Sequence, residues 1–152
     1  MQPRLNPRQA APDAIAAMRA LNDYVASCGL EPPLLELVKT RASQINGCAF
    51  CIHMHTRDAR ALGESEERLY LLSAWRESPL YTDRERAALA WTEALTLVSE
   101  THAPDEAYEE ARAQFSEVEL ANLSVAIGMI NMWNRLAIGF RLIHPVRKEA
   151  IA

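Results

Sequence analysis

The sequence predicts an all-α protein, a bundle of about six to seven helices, and two observations carry that prediction. Between its Pro and Gly residues, apolar side chains recur at spacings of three and four rather than alternating, which is the period of a helix. Two segments, TDRE at 82–85 and SEVE at 116–119, place Thr or Ser three residues before Glu, the reciprocal arrangement that satisfies free backbone N–H groups at a helix start.

The elements follow in order. The first dozen residues hold three prolines and read as an arm, 1–12, lying on a neighbour or disordered. The rest, 13–152, reads as a single domain without repeat, linker or low-complexity segment. A first helix is predicted over 13–27 and a second over 33–45, where Asn46 and Gly47 supply a stop. A third starts at Cys48 and runs to about Leu62, with Gly63 as its stop. Ser65 can cap a fourth over EERLYLLSAWR at 66–76. The two boxes open long helices over 83–99 and 117–141, and between them PDEAYEEARAQF forms a shorter polar helix after Pro104. The last helix is apolar nearly all round, so it belongs at the centre of the protomer or between protomers, which predicts a homo-oligomer.

Composition narrows the function. A chain of 152 residues buries roughly two thirds of its unfolded surface, enough to fold without a disulfide or metal. A net charge of -4 argues against a nucleic-acid partner. The N-terminus lacks a basic start followed by an apolar stretch, and the longest apolar run, at 123–130, is far short of a membrane span, so a cytoplasmic location and no membrane partner are expected. In a reducing compartment, three cysteines push the close pair toward catalysis or metal binding rather than a structural bridge.

That pair lies in NGCAFCIHMH at 46–55. At about 100° per residue, Cys48, Cys51 and His55 fall within roughly 60° of one another on a helix, while His53 projects about 140° from Cys48 and leaves the stripe. The reactive species of a cysteine is its thiolate, favoured near a helix N-terminus and beside a histidine, and this stripe offers both. His55 can take the proton of Cys51, and Cys48 can attack an oxidised Cys51. Three alternatives stand beside redox chemistry. Zinc needs four ligands, and Cys28, His102 and His144 are isolated candidates. Covalent haem attachment needs His directly after the second Cys, where Ile52 stands. Buried, inert cysteines remain the plain structural reading.

Glu36, separated by eleven residues from CAFCIHMH, completes a pattern that resembles the alkyl hydroperoxidase D family of the carboxymuconolactone decarboxylase superfamily: Glu, C-x-x-C, then His four residues after the second Cys. The resemblance is closest over about 30–100 and is to the short one-domain members. It implies an all-helical fold, reduction of hydroperoxides through a dithiol/disulfide cycle, and trimers or hexamers. Carried over, it makes Cys51 peroxidatic and Cys48 the proton donor and resolving thiol. It makes Glu36 and His55 a proton relay with a water between them. It also implies an external dithiol or lipoyl-bearing reductant and no cofactor, metal or haem. The lactone-decarboxylase branch does not use the cysteine pair. General thiol–disulfide exchange and a non-catalytic redox sensor use the same two cysteines and stay open as alternatives.

Periodicity alone reads Glu36 differently. Leu34, Leu35, Leu37, Val38, Ala42 and Ile45 make one apolar face of the second helix, and Glu36 lies opposite, where a solvated carboxylate belongs. Cys28 reads as a structural thiol, and His53 as a surface or interface residue. His102 and His144 read as turn residues, and Trp75, Trp91 and Trp133 as core or interface anchors. Asn131 and Asn134 interrupt the apolar last helix, where buried amides either fix helix contacts or point into the site.

Overall fold

In the computed structural model, which describes residues 2–145, nine α-helices and one 3₁₀ segment are present. They are α1 (Pro7–Ala10), α2 (Pro12–Ala26), α3 (Pro32–Asn46), α4 (Ala49–Ala61), α5 (Glu66–Leu71) with the 3₁₀ turn Leu72–Glu77, α6 (Asp83–Thr96), α7 (Val98–Thr101), α8 (Asp105–Gln114) and α9 (Glu117–Gly139). The all-α class holds. The number exceeds the six to seven predicted because three segments are broken or short, each for a local reason.

The fourth predicted helix is split. Ala74 leaves helical geometry at φ -118°, ψ 26°, and the chain tightens to about three residues per turn. That pitch lines up Leu72 and Trp75, which are both buried, and the Trp75 Nε1–H donates to Glu93 Oε1 at 2.8 Å. The helix predicted to reach 99 stops at Thr96. The Glu100 and Thr101 N–H groups turn back to the Leu97 carbonyl, and the Thr101 hydroxyl donates to Ala94 O, so α7 is a separate turn. His102, at φ 53°, ends it as a turn residue.

The N-terminal arm carries α1 and lies on its own chain. Arg4 N–H donates to Phe140 O at 3.0 Å and the Arg4 guanidinium to Gly139 O at 3.2 Å, so the first residues clasp the end of α9.

Both capping boxes form. Thr82 and Glu85 close one at the start of α6, and Ser116 and Glu119 the other at the start of α9. Helix α3 is central, packing on α4, α6 and α9, while α6 also meets α8 and α9. Val25, Leu35, Val38, Ala88, Leu123 and Ile127 belong to the main core, and Leu37, Leu72, Trp75 and Leu89 to a second. Helix α9 buries Leu120, Leu123, Ile127, Ile130 and Ala137 but exposes Val118, Val125 and Ile138. Trp91 is buried with its Nε1–H on Ser124 Oγ, Trp133 packs half-buried on the main core, and Cys28 is a half-buried free thiol. No helix among the described residues is long and apolar enough to cross a membrane.

Candidate functional site

The site is built on the two-residue link between α3 and α4. Gly47 closes α3 at φ 70°, a left-handed conformation glycine takes without strain, and the next N–H, that of Cys48, turns back to Ser43 O at 2.9 Å. Cys48 is thereby set in extended geometry as the N-cap of α4, and its Sγ accepts the Cys51 N–H at 3.3 Å. A sulfur stands where Ser, Thr, Asp or Asn usually caps a helix. Its partner Cys51 is already inside the first turn.

Cys48 and Cys51 are joined as a disulfide, with Cα atoms 5.4 Å apart, inside the ordinary span of such bridges. They are 1% and 2% exposed. They form a small apolar cluster with Ala137 of α9, against which Phe50 and Leu142 pack. Leu142 arrives there because Arg141, at φ 55°, reverses the chain after α9 and sends the Leu142 N–H back to Ala137 O. The segment after α9 thus forms a strap across the cysteine pair.

His55, one turn past Cys51, is buried on the same stripe. Its Nδ1 lies 2.8 Å from Glu36 Oε2. This corrects two expectations. Glu36 is not a solvated carboxylate: it is 9% exposed, because α3 is packed on several sides and α4 covers the face that a one-sided helix would leave in water. The contact with His55 is also direct, since 2.8 Å between the two atoms leaves no room for the intervening water the resemblance implied. Burial pushes the Glu36 carboxyl up, but the hydrogen bond with His55 and the charge and hydrogen bond of Lys39 outweigh it, holding the group below the usual carboxylate value. An ionised Glu36 can only accept, so Nδ1 carries a proton and donates it to Oε2.

Two charged residues at this site were not marked by the sequence reasoning. Lys39 Nζ is 2.7 Å from Glu36 Oε1. Asp58 brings a carboxylate oxygen into a group with Glu36 and His55 whose candidate ligand atoms all lie within 4.8 Å of one another. Each stands three residues after a site residue, a spacing available in the sequence but shared with many solvated pairs. The trio offers three atoms of metal-ligating type. As arranged, however, Lys39 holds the Glu36 carboxylate and Arg57 holds Asp58 at 2.7 Å, so both carboxylates already have a cation.

The other sequence candidates fall outside the reacting group. His53 leaves the stripe as its angle requires and stacks on His144 of the strap, ring centroids 4.8 Å apart and 21° from parallel. Asn131 and Asn134 fix helix contacts. Both accept from Asn46 Nδ2 at 2.9 Å, the Asn134 amide donates to Ser43 Oγ at 3.0 Å, and the Asn131 amide donates to Thr96 Oγ1 at 3.0 Å. This network clamps the end of α3 to α9 directly before the Gly47–Cys48 link.

With this geometry in view, the likenesses to other proteins can be stated. The profile of the carboxymuconolactone decarboxylase family matches residues 12–94, which include Glu36, Cys48, Cys51 and His55. An uncharacterized protein of Bacillus subtilis is 41% identical over 138 residues, covering 91% of this chain and 94% of that one. The fold superposes with a TM-score of 0.94 on the crystal structure of a protein of unknown function from Agrobacterium tumefaciens, for which an AhpD antioxidant-defence role has been suggested. The two are 52% identical over 96% of this chain and all of that one. A peroxidase-related protein from Ralstonia eutropha, described as an alkylhydroperoxidase AhpD core, shares the fold at a TM-score of 0.79 and 18% identity, over 91% of this chain and 74% of that one.

Proposed function

The chain belongs to the carboxymuconolactone decarboxylase family, and from that premise we propose that it is a thiol peroxidase of the alkyl hydroperoxidase D type. One observation carries the reading: a Cys48–Cys51 disulfide at the head of a helix, one turn from a histidine whose other partner is a buried carboxylate. The likeness to the Agrobacterium protein supports it.

The reduced pair acts as follows. His55 Nε2 takes the Cys51 proton, and the thiolate attacks one oxygen of the hydroperoxide. The O–O bond breaks, Cys51 becomes a sulfenic acid, and the leaving alkoxide takes the Cys48 proton to depart as the alcohol, while the proton held by His55 later leaves with the sulfenic oxygen as water. The Cys48 sulfur then attacks the Cys51 sulfur, releasing water and closing the disulfide. An external dithiol or a lipoyl-bearing partner restores both thiols by exchange and is itself oxidised to a disulfide. Burial of both sulfurs favours a small hydroperoxide over a protein disulfide as the oxidant, and a slender dithiol as the reductant. A homo-oligomer, trimeric or hexameric, is the assembly proposed with this function.

The deciding experiment follows the peptide holding Cys48 and Cys51 by mass spectrometry after the reduced protein meets one equivalent of cumene hydroperoxide. Loss of two hydrogens from that peptide, matched by peroxide consumed and blocked by prior alkylation, is the expected result. No change over minutes would set peroxide reduction aside and favour dithiol exchange or redox sensing.

A further inference from the structure

Lys39 belongs to the site although nothing in the peroxide chemistry calls for it. It follows Glu36 by one turn of α3, and its side chain is only 12% exposed. An ammonium group is strongly hydrated, and withdrawing it from water is costly unless a charge receives it. Here the receiving group is Oε1 of Glu36 at 2.7 Å, while Oε2 of the same carboxylate meets His55 Nδ1 at 2.8 Å. The carboxylate is held at both oxygens and cannot turn about its terminal bond, which is otherwise a soft torsion.

Asp58 makes that restraint matter. Its carboxylate oxygen lies within the same 4.8 Å group, a second anion beside the imidazole. Among the described residues, Arg57 holds Asp58, Arg41 of α3 holds Glu93, and Arg135 of α9 donates to Asn131. Lys39 is therefore the cation that decides how Glu36 is presented.

We infer that Lys39 is a positioning residue, which by anchoring Oε1 of Glu36 presents Oε2 to His55 and keeps the imidazole in its Nδ1–H tautomer, with Nε2 as the proton acceptor for Cys51. Only the last clause rests on the peroxidase reading; the tautomer does not. Without Lys39, the Glu36 carboxylate is free to turn from Nδ1, the preference it imposes on the imidazole weakens, and the proton populates Nε2 as well as Nδ1.

The test is imidazole ¹⁵N NMR on the full chain at neutral pH, with the His55 signals assigned by their loss in His55→Gln. The wild type is expected to show the Nδ1–H pattern. Lys39→Met is expected to show a mixed pattern and, in a reduced Cys48→Ser background, Cys51 alkylation slowed about tenfold, the low end for groups that orient a working histidine. Lys39→Arg is expected to restore both. A wild-type tautomer pattern in Lys39→Met overturns the inference. Should Lys39→Met not fold, Lys39→Gln is read by the same criterion. A protein with no peroxide turnover but a Lys39-dependent tautomer would keep this inference and lose the function proposed above.

Discussion

Glu36 and His55 stand nineteen residues apart in the chain and 2.8 Å apart in space, Oε2 to Nδ1. They are carried by α3 and α4, which are joined by Gly47 and Cys48 alone. A turn that short makes the two helices antiparallel neighbours, so a carboxylate two turns or more before the link faces an imidazole two turns after it. The same link positions the first sulfur, and one backbone turn therefore sets the cysteine pair beside the histidine–carboxylate couple.

Replacing Glu36 with Gln keeps the shape and removes the anion. We expect Cys51 sulfenate formation, trapped in a Cys48→Ser background, to slow by about 10²-fold, the lower range for loss of acid–base assistance. The circular dichroism should be unchanged. An unaltered rate would take Glu36 out of the proton pathway.

Acid should weaken the fold partly through Glu119. Its backbone hydrogen bond at Ser116, then Arg84 and the Ser116 side chain, hold its carboxyl down to about 2, against 4.5 for the unperturbed group. A depressed folded value means the contribution is fully present above 4.5 and is lost as pH falls from there toward 2. The side chain is 33% exposed, so solvent screening keeps the stabilisation under about 1 kcal/mol. Urea unfolding across that window should show Glu119→Gln less pH-dependent than the wild type.

Asn134 is fully buried and satisfied from both sides by Asn46 and Ser43. Asn134→Leu removes both contacts, leaving Asn46 with Asn131 and Ser43 with the Lys39 carbonyl, at a cost of roughly 2 kcal/mol, or a fall of roughly 4–8 °C in melting temperature. Adding Ser43→Ala should cost less than the sum of the two single changes, because one contact is lost in both. Full additivity would mean the two side chains act independently.

Access to the disulfide should depend on the strap. Leu142→Ala trims a side chain packed against the cluster that holds the cysteines, and reduction by dithiothreitol, followed by thiol appearance, is expected to quicken several-fold. An equal rate would show that the sulfurs are reached from another side.

How far the site could be read before the fold was known depended on the kind of spacing involved. Cys48, Cys51 and His55 share one helix, so angle arithmetic alone brings them to one stripe. The capping boxes were equally legible, since all their atoms lie within one turn. Glu36 was not legible from periodicity, because a helical wheel assumes one buried face and α3 has no such simplicity; only the resemblance to a known motif marked it. Lys39 and Asp58 went unmarked because a charge three residues from a partner describes a solvated pair just as well. The breaks at Ala74 and Leu97 answer to Trp75 and Thr101, whose contacts with Glu93 and Ala94 form only after the chain has folded.

The sulfur cap on α4 has one more consequence. Because Cys48 Sγ accepts the Cys51 N–H, a sulfur of the disulfide is also an end fitting of secondary structure. Reduction frees that sulfur from the bridge, so deuterium uptake at the Cys51 amide is expected to differ between the oxidised and reduced states. The oxidation state of the pair is thereby written into the breathing of the backbone, where it can be followed without substrate, dye or label.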